Sequence, residues 1–274
     1  MIIKRKPNSL PIWVYVFLGV VCFVSIFPFF WMAVAATNRS IDIIGGRLFF
    51  GTNLIENMRN LFTDARRVDL ALWNSLRNTV VAVGLSLFVC SMAGYGFQIY
   101  RDKKKDRLMA VLLLSMMVPF ATLMIPLFRM FATMGLMNTT LGFVLPSIST
   151  AFLIFFFRQC SASFPMEIVQ AARVDGLGEF GIYAKVYFPI MAPTFAAAAI
   201  VAFMNNWNSY LWPLIILRAA HSRTMPLVVS GIIDGYVTDY GILMLAVTIF
   251  SLPTVLLFIT QQKRFVAGIL GAVK

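Results

Sequence analysis

Six long apolar stretches constrain this chain more than any other feature of its sequence. Each could cross a hydrocarbon layer of about 30 Å as a helix, and they lie at residues 13–36, 78–100, 108–132, 141–160, 190–217 and 241–262. Hydrophobic residues make up 60% of the chain and charged residues only 12%, which is about half the charged share of a soluble domain. One soluble core could not bury so much apolar surface. We therefore expect an all-α membrane protein with six transmembrane helices.

Basic residues predict how these helices are oriented. Clusters of lysine and arginine precede the first stretch (4–6), separate the second and third (101–107) and follow the sixth (263–264, with Lys274). Six crossings place all these clusters on one side, which the positive-inside rule identifies as the cytoplasm. The net charge of +12 then reflects membrane orientation and contact with lipid, not a nucleic-acid partner. We expect a cytoplasmic N-terminal tail at 1–12 and both termini in the cytoplasm.

Prolines fall within or beside most of the apolar stretches. They are Pro28, Pro119, Pro126, Pro146, Pro193, Pro213 and Pro253. Each lacks a backbone N–H donor and leaves a carbonyl without its helical partner. In lipid such a break is tolerated only where neighbouring helices or a water-lined cavity satisfy the carbonyl. The pattern favours a transport pathway over a simple membrane anchor.

Residues 158–189, which we call the connecting segment, join the fourth and fifth stretches on the predicted cytoplasmic side and are too polar to cross a membrane. Pro165 suits the first turn of a helix, residues 166–173 favour a helix, and Gly176 is placed to end it in a left-handed conformation. We expect a short, stiff helix here, joined directly to two membrane helices.

A second amphipathic stretch follows in the connecting segment. Phe180, Tyr183 and Tyr187 recur at a helical spacing that suits a helix lying along the membrane surface. The whole segment could be a rigid body through which an outside force tilts the adjoining helices. It could equally be an ordinary amphipathic connector, and the physical properties of the residues leave both interpretations open.

The order Pro-x-Glu-x-x-x-Ala-Ala-x-x-Asp-Gly, from Pro165 to Gly176, resembles the EAA coupling loop of ABC importer permeases. A Leu-Pro-like pair usually follows that loop, and here it is Phe188-Pro189. The likeness covers essentially the whole chain, because further short runs of residues also fit the pattern of the family. These runs are Asn74-Ser75, Ile125-Pro126-Leu127, 134–139, 207–214, Met225-Pro226-Leu227 and 268–274. Together they resemble the carbohydrate-uptake branch and, within it, the smaller maltose-permease-G-like subunit.

This resemblance implies a type I ABC importer permease, with a single transmembrane domain over 13–274 that includes a cytoplasmic EAA-type coupling helix. Such a subunit moves a sugar, here expected to be a di- or oligosaccharide, into the cytoplasm by alternating access. The implied partners are a second, homologous permease that completes a heterodimer, two copies of a cytoplasmic ATP-binding subunit, and an extracytoplasmic solute-binding protein. The implied location is the bacterial cytoplasmic (inner) membrane, which the chain crosses several times.

The same resemblance assigns contact with the ATP-binding subunit to one group of residues. They are Glu167, Gln170, Ala171, Ala172, Asp175 and Gly176. Gln170 departs from the family pattern, because the glutamate that names the motif usually stands there. Glutamine keeps a hydrogen bond and loses the charge, and an ion pair at a partly buried interface contributes a few kcal/mol at most. We expect docking to persist with weaker electrostatics.

Polar residues in the fifth stretch are the main candidates for the substrate pathway. Asn205, Asn208 and Ser209 share one helix face. Trp207 and Tyr210 stand beside them, so amides for sugar hydroxyls would lie next to aromatic rings for the sugar face. The alternative is that these polar groups only hold helices together, at about 0.6 kcal/mol per bond.

Two further residues bear on this pathway. Pro213 removes the donor for the Ser209 carbonyl and predicts a kink beside the polar group. Arg129, in the third stretch, is costly in lipid and therefore a functional candidate by default. It could line the cavity, pair with a carboxylate of a partner, or extend its guanidinium to the membrane surface.

The motifs that the sequence lacks exclude other functions. It contains no Gly-x-x-x-x-Gly-Lys-Ser/Thr loop that would cradle nucleotide phosphates. We therefore expect no cofactor on this chain, which would be a translocation subunit and not an enzyme, with ATP and Mg²⁺ bound by the separate ATPase. Its three cysteines, Cys22, Cys90 and Cys160, share no metal-site spacing, and its one histidine, His221, falls in a predicted outer loop. No metal site is expected.

Two other classes of function remain as alternatives. A stand-alone secondary transporter or channel would couple to ions through intramembrane Asp or Glu, and the six stretches contain neither. A membrane-embedded enzyme would need a convergent catalytic set, and none is evident. A requirement for an ATPase partner separates the importer subunit from the stand-alone transporter.

Overall fold

The computed structural model describes residues 11–63, 66–233 and 238–273, and the regular elements within them are helices. In chain order these are α1 (Ile12–Ala35), α2 (Ser40–Ile44), α3 (Leu54–Leu61), α4 (Val68–Ile99), α5 (Lys103–Ser115), α6 (Phe120–Thr133), α7 (Thr140–Ile148), α8 (Ala151–Ser161), α9 (Met166–Val174), α10 (Glu179–Ile182), α11 (Phe188–Ile190), α12 (Ala192–Trp207), α13 (Leu211–Ile216), α14 (Met225–Ile233) and α15 (Tyr240–Val273). A π-helical turn (Tyr183–Tyr187) joins α10 to α11, and a 3₁₀ turn (Ala220–Ser222) precedes α14. The predicted all-α fold is confirmed. Most of the predicted N-terminal tail, residues 1–10, lies outside the described residues.

The number of membrane crossings agrees with the sequence. Within the described ranges, three helices are long and apolar enough to cross a membrane: α1, α4, and α15 as far as Gln262. Three bent pairs of helices also pass the same test, which gives six crossings if each pair counts as one. The helix of the sixth crossing, α15, continues as far as Val273, well past the predicted end of the sixth stretch at residue 262.

Bends within these pairs show where the apolar stretches are interrupted. The third crossing turns by 95° between α5 and α6, and the fourth by 45° between α7 and α8. Pro119 stands directly before α6, and a residue that precedes proline is biased away from helical backbone. Thr150 begins α8 by accepting a hydrogen bond from the Leu153 N–H, which is a typical helix start.

The prolines divide into two groups. Pro28, Pro126, Pro146 and Pro253 lie inside helices, which continue through them. Pro119 and the remaining prolines of the apolar stretches stand at helix starts, where the missing N–H has no helical partner in any case. Only this second group coincides with the breaks.

The fifth predicted stretch differs most from the structure. We expected one kinked helix over 190–217, but α12 ends at Trp207 and α13 begins only at Leu211. The polar residues between α12 and α13 do not continue the helix. Pro213 falls in the first turn of α13, where its missing N–H interrupts no helical hydrogen bond. A bend of 82° separates the connecting segment from α12.

Two compact units are distinguished by their internal contacts, one formed by 1–63 with 231–251 and the other by 64–230 with 252–274. The assignment of 13–274 to a single domain stays a prediction. In the larger unit α4 is central and packs against α7, α8 and α12. At Gly94 the helices meet so closely that an added Cβ would lie 2.5 Å from the Phe157 Cβ, so α4 and α8 can pack only where α4 has no side chain.

In the smaller unit, asparagines hold the loop that follows α1. The Asn38 amide donates to the Val34 and Phe49 carbonyls, and the Asn57 amide donates to the Ala36 carbonyl. Most of α1 is exposed along its length and only its last residues are buried. Its apolar surface is therefore available to lipid or to another subunit.

Candidate functional site

The predicted helix of the connecting segment is present as α9, and its end has a well-defined geometry. Pro165 stands one residue before the helix and not in its first turn. Gly176 has a φ of 81°, as the sequence predicts. Its N–H donates to the Arg173 carbonyl over 3.0 Å, and the Leu177 N–H donates to the Ala172 carbonyl over 3.0 Å. This pair of bonds is the Schellman motif, which satisfies carbonyls at the helix end.

One face of α9 packs into the protein and the other is open. Val169 is 0% exposed and Ala172 6% exposed, and both belong to the core that α4 and α8 share. Ala172, which was predicted to contact the ATPase, packs inward in this structure, and its contact with a partner stays a prediction. Glu167, Gln170 and Ala171 are exposed.

The open face continues past the end of the helix. Asp175 and Gly176 are exposed, and the apolar side chain of Val174 is 87% exposed. Together with Glu167, Gln170 and Ala171, these residues form what we call the α9 outer face. It combines small, polar and apolar groups, so it could be covered by another protein.

An ion pair closes the turn after α9. Arg173 Nε donates to Glu179 Oε1 over 2.8 Å, and the Arg173 guanidinium lies 5.6 Å from the centre of the Tyr100 ring, just beyond α4. The hydrogen bond from Arg173 lowers the pKa of the Glu179 carboxyl below its ordinary value, and a bond from Tyr100 acts in the same direction. The turn is thereby fixed against the end of α4.

The aromatic stretch corrects another prediction. Phe180 is 64% exposed, as a residue at the membrane surface could be, but Tyr183 is 7% exposed and Tyr187 0% exposed. Both tyrosines lie in the core shared with α4, α8 and α9. A helical apolar spacing cannot distinguish burial against lipid from burial against the chain's own helices, so the sequence alone could not separate the two.

The basic run at 101–107 takes part in the same region. Asp106 accepts hydrogen bonds from Arg101 and from Arg158, which lies in α8. Lys105 lies 5.8 Å from the centre of the Tyr100 ring. We had expected this run only to contact lipid. It also joins the start of α5 to α8, beside the turn that holds Arg173.

A cavity of about 700 Å³ opens where α12 ends. Asn205, Asn208, Ser209 and Tyr210, all predicted as pathway residues, line it. The break after Trp207 brings these residues to one surface, and Asn206, which the helical-face argument omitted, lines the cavity as well. Interrupting the helix therefore widens the polar wall beyond a single helix face.

Two predicted pathway residues lie elsewhere. Arg129 is an exposed residue of α6 and does not line this cavity. Trp207 is 2% exposed, its ring stacks on Phe203 at 5.4 Å, and it does not line the cavity. The aromatic surface comes instead from Tyr210 and Trp212, on the other side of the break.

The opposite wall of the cavity was missed by sequence reasoning. Phe143, Ser147 and Thr150 line it, from α7 and the break before α8. Thr150, a residue type that often begins a helix, could have signalled a break there, but the sequence does not show that it faces the break after α12. Among the described residues, none of the side chains that line the cavity is charged.

Hydrogen bonds bear on the alternative that these asparagines only join helices. The Asn206 amide donates to the Ala202 carbonyl over 2.8 Å, and the Asn208 amide donates to the Met204 carbonyl over 2.9 Å. Both bonds stay within α12 and its end, so neither links two helices. Each side-chain carbonyl oxygen can still accept a hydrogen bond from a ligand hydroxyl.

The far end of α4 carries a separate polar network. The Asn74 amide donates to the His221 and Arg223 carbonyls at 2.8 and 3.1 Å, and Ser75 accepts from the Met225 N–H at 2.8 Å. Asn74 and Tyr100 are separated by most of α4, which at 1.5 Å per residue is about 40 Å. The two ends therefore lie on opposite sides of a hydrocarbon layer of about 30 Å.

No group of His, Cys, Asp or Glu residues that could hold a metal ion occurs in the described part of the chain. Cys90 and Cys160 are buried and Cys22 is exposed, each as a free thiol. The candidate site is therefore made of the α9 outer face and a neutral cavity, and the described residues contain no arrangement typical of metal chemistry.

Comparison with known proteins identifies the family. Residues 90–270, well over half of the chain, match the family described as "Binding-protein-dependent transport system inner membrane component". The chain belongs to this family. It is thus a transport permease, an inner-membrane component that crosses the membrane several times, and not an enzyme. The matched region includes both α9 and the residues that line the cavity.

Individual relatives extend the similarity to nearly the full length. This permease is 46% identical over 271 residues to the lactose transport system permease protein LacG of Rhizobium radiobacter, covering 99% of this chain and 98% of LacG. It is 34% identical over 277 residues to the arabinooligosaccharides transport system permease protein AraQ of Halalkalibacterium halodurans, covering 99% of each. A solved bacterial ABC transporter involved in import of the acidic polysaccharide alginate matches with a TM-score of 0.82 at 20% identity, covering 97% of this permease and 99% of that chain. This last match shows a shared fold.

Proposed function

We propose that this permease is one of two translocation subunits of an ABC importer that brings a neutral di- or oligosaccharide into the cytoplasm. One observation carries the proposal: the cavity and the α9 outer face lie on one packed body. The core of α4, α8 and α12 includes Val169 and Ala172 of α9, and α12 ends at the cavity. A force applied to α9 can therefore reach the substrate path.

The α9 outer face is the proposed contact with a cytoplasmic ATP-binding subunit. Glu167, Gln170, Ala171, Asp175 and Gly176 are all exposed and have no role in the internal packing of the chain. Small residues allow a cleft of the partner to approach the helix backbone. Gln170 supplies hydrogen bonds without charge, so polar and apolar contacts, including Val174, account for most of the docking.

The remaining parts of the importer follow from this arrangement. A second, homologous permease faces the cavity and completes the pathway, and two ATP-binding subunits bind ATP and Mg²⁺, so this chain carries no cofactor. A solute-binding protein, which the family description includes, delivers the sugar from outside. Closing of the ATP-binding subunits rocks the two permeases between inward-open and outward-open states.

A neutral sugar is the proposed substrate because the cavity is lined by amides, hydroxyls and rings. Asparagine and serine side chains bond sugar hydroxyls, and Tyr210 and Trp212 offer flat faces for the sugar ring. A charged substrate would find no side chain of opposite charge among the described lining residues. The two relatives compared by sequence are named for lactose and for arabinooligosaccharides, which are uncharged.

The orientation is also a proposal. Arg173 and Lys105 both lie within 6 Å of the Tyr100 ring centre, at 5.6 and 5.8 Å, so α9 and the basic run share one end of α4. Basic clusters mark the cytoplasmic side. The end of α4 that holds Asn74 and the His221 loop is then external.

Reconstitution of the complete importer in proteoliposomes tests the function. The permease is combined with its partner permease, the ATP-binding subunit and the solute-binding protein, and uptake of radiolabelled lactose and arabinotriose is measured with and without ATP. We expect uptake of at least one of these sugars that requires ATP and the binding protein. Uptake by the permease alone, driven by an ion gradient, would show a stand-alone secondary transporter and overturn the proposal.

A further inference from the structure

We propose that Tyr183 and Tyr187 are positioning residues that join the π-helical turn to α4 and α8, so that a displacement of α9 reaches both helices together. This inference rests on the proposed function, in which an ATP-binding subunit moves α9. It assigns the transmission of that movement to two buried hydroxyl pairs outside the surface that the partner contacts.

The hydroxyl pairs are short and shielded from water. The Tyr183 hydroxyl lies 2.7 Å from Ser91 Oγ in α4, and the Tyr187 hydroxyl lies 2.7 Å from Ser161 Oγ in α8. These four residues are at most 7% exposed. A buried hydroxyl cannot exchange its partner for water. Each bond therefore holds the π-helical turn at one position, along α4 for Tyr183 and along α8 for Tyr187.

A third tyrosine connects the two attachments. The Tyr95 ring of α4 lies 5.8 Å from the Tyr183 ring and 4.8 Å from the Tyr187 ring, both edge to face. The rings of Tyr183 and Tyr187 stack on each other at 5.7 Å. The attachments to α4 and α8 therefore belong to one rigid aromatic group and not to two independent contacts.

The same group is continuous with α9. Val169 and Ala172, on the inner face of α9, belong to the core that contains all three tyrosines. The two tyrosines that bond to α4 and α8 stand at the ends of the π-helical turn between α10 and α11. Such wide turns are rare and often occur at functional positions. The turn places both hydroxyls in the interior, one against the last turns of α4 and the other against the end of α8.

Removing only the hydroxyls separates this role from simple packing, because phenylalanine keeps the ring. In the reconstituted importer, Tyr183→Phe and Tyr187→Phe are compared with the wild-type chain, using whichever of lactose and arabinotriose the wild type accumulates. The measured quantity is the number of sugar molecules taken up per ATP hydrolysed. We expect a fall of about fivefold for each bond lost, with ATP hydrolysis retained.

The serine partners provide a reciprocal test and a matched control. Ser161→Ala should reproduce the loss seen in Tyr187→Phe, and the double variant should lose no more than either single variant, because both remove the same bond. Ser86→Ala is the control. Ser86 is also a buried serine of α4, 1% exposed, but within the described residues its hydroxyl bonds to the Val83 carbonyl of its own helix. The sugar-to-ATP ratio of Ser86→Ala should therefore equal that of the wild type.

Each outcome decides the matter. Variants of both tyrosines with the wild-type ratio would overturn the inference while leaving the proposed function in place. So would a strictly additive loss in the double variant, or a loss of equal size in Ser86→Ala, since either indicates a general effect on stability. A wild-type importer without ATP-dependent uptake would overturn the proposed function, and this inference with it.

Discussion

At the scale of single residues, Gly176 shows how one backbone angle positions the end of the α9 outer face. Its φ of 81° is costly for residues with a Cβ, by about 1–2 kcal/mol, although an added Cβ would meet no atom within 4 Å. Gly176→Val should therefore alter the turn without a steric clash. We expect a lower ratio of sugar uptake to ATP hydrolysis in reconstituted importers.

A nearby glycine provides the control for this substitution. Gly178 also has open space around its Cα, but its φ is −70°, which valine adopts readily. Gly178→Val should keep the wild-type ratio. Equal behaviour of the two variants would show that the left-handed turn does not matter for coupling.

The neutral Gln170 leads to a second prediction. Because this exposed residue carries no charge, Gln170→Glu should strengthen docking of the ATP-binding subunit through contact with a basic group, by up to about tenfold at low salt. The added affinity should disappear as ionic strength rises. Binding of the purified ATP-binding subunit to the permease, measured at two salt concentrations, tests this. A salt-independent affinity in both forms would contradict it.

Tyr95 carries a buried hydroxyl for which the described residues offer no hydrogen-bond partner. Burial of an unpaired polar group costs about 1–3 kcal/mol, and phenylalanine removes the group while keeping the ring. Tyr95→Phe should raise the thermal unfolding temperature of the detergent-solubilised permease. Tyr187→Phe, which breaks a formed bond, should lower it. A decrease for Tyr95→Phe would show that its hydroxyl is satisfied after all.

At the scale of elements, the turn after α9 should depend on pH. The pKa of Glu179 is lowered by its bond with Arg173, so the folded state favours the carboxylate. The stabilisation is present at neutral pH and is lost as pH falls below the ordinary value of 4.5. Hydrogen exchange of the amides around 174–182 should therefore be slow at pH 7 and faster in acid, after correction for intrinsic rates.

A single substitution tests the same ion pair without acid. Glu179→Gln should give fast exchange of these amides already at pH 7, with little further change on acidification. The exposed pair Arg67–Asp69 offers a comparison outside this turn, and Asp69→Asn should leave the turn unchanged. Protection in Glu179→Gln equal to that of the wild type would show that the turn does not depend on the pair.

The elements themselves were largely predictable from sequence, because long apolar runs, capping residues and a left-handed glycine act locally. The helix ends at α9 and the start of α1 agree with the predictions to within a few residues. The break before α6 stands at Pro119, one of the prolines at which the sequence predicts an interruption, but the kink expected near Pro213 is a full interruption before α13. Proline signals a possible break, but several prolines remain inside helices, and which outcome occurs depends on the packing of neighbouring helices.

The candidate site was also predictable only in part from the sequence. The polar wall of the cavity and the exposed residues of α9 follow from sequence, because each lies within one short segment. The second wall, with Ser147 and Thr150, and the burial of Tyr183 and Tyr187 arise from contacts between segments far apart in the chain. Periodicity in one helix carries no information about which partner will cover it.

At the scale of the whole molecule, the topology makes a prediction that labelling can check. In a Cys22→Ser background, which removes the exposed thiol, single cysteines replace Lys104, Asp175 or His221. A membrane-impermeant maleimide should label Lys104→Cys and Asp175→Cys only from the cytoplasmic side and His221→Cys only from outside. Labelling of Lys104→Cys and Asp175→Cys from outside would show that the topology is the reverse of the proposed one. The α9 outer face could then not contact a cytoplasmic ATPase.

The interruption between α12 and α13 has a consequence for the permeability of the membrane. The polar side chains around it, which include Asn206, Asn208 and Ser209, line the cavity, and buried polar groups need hydrogen-bond partners, so water must solvate them before any sugar arrives. A hydrated defect of this kind offers protons and small ions a route through part of the bilayer. In the proposed importer, the second permease must therefore complete the insulating seal, and each sugar must displace solvent as it enters.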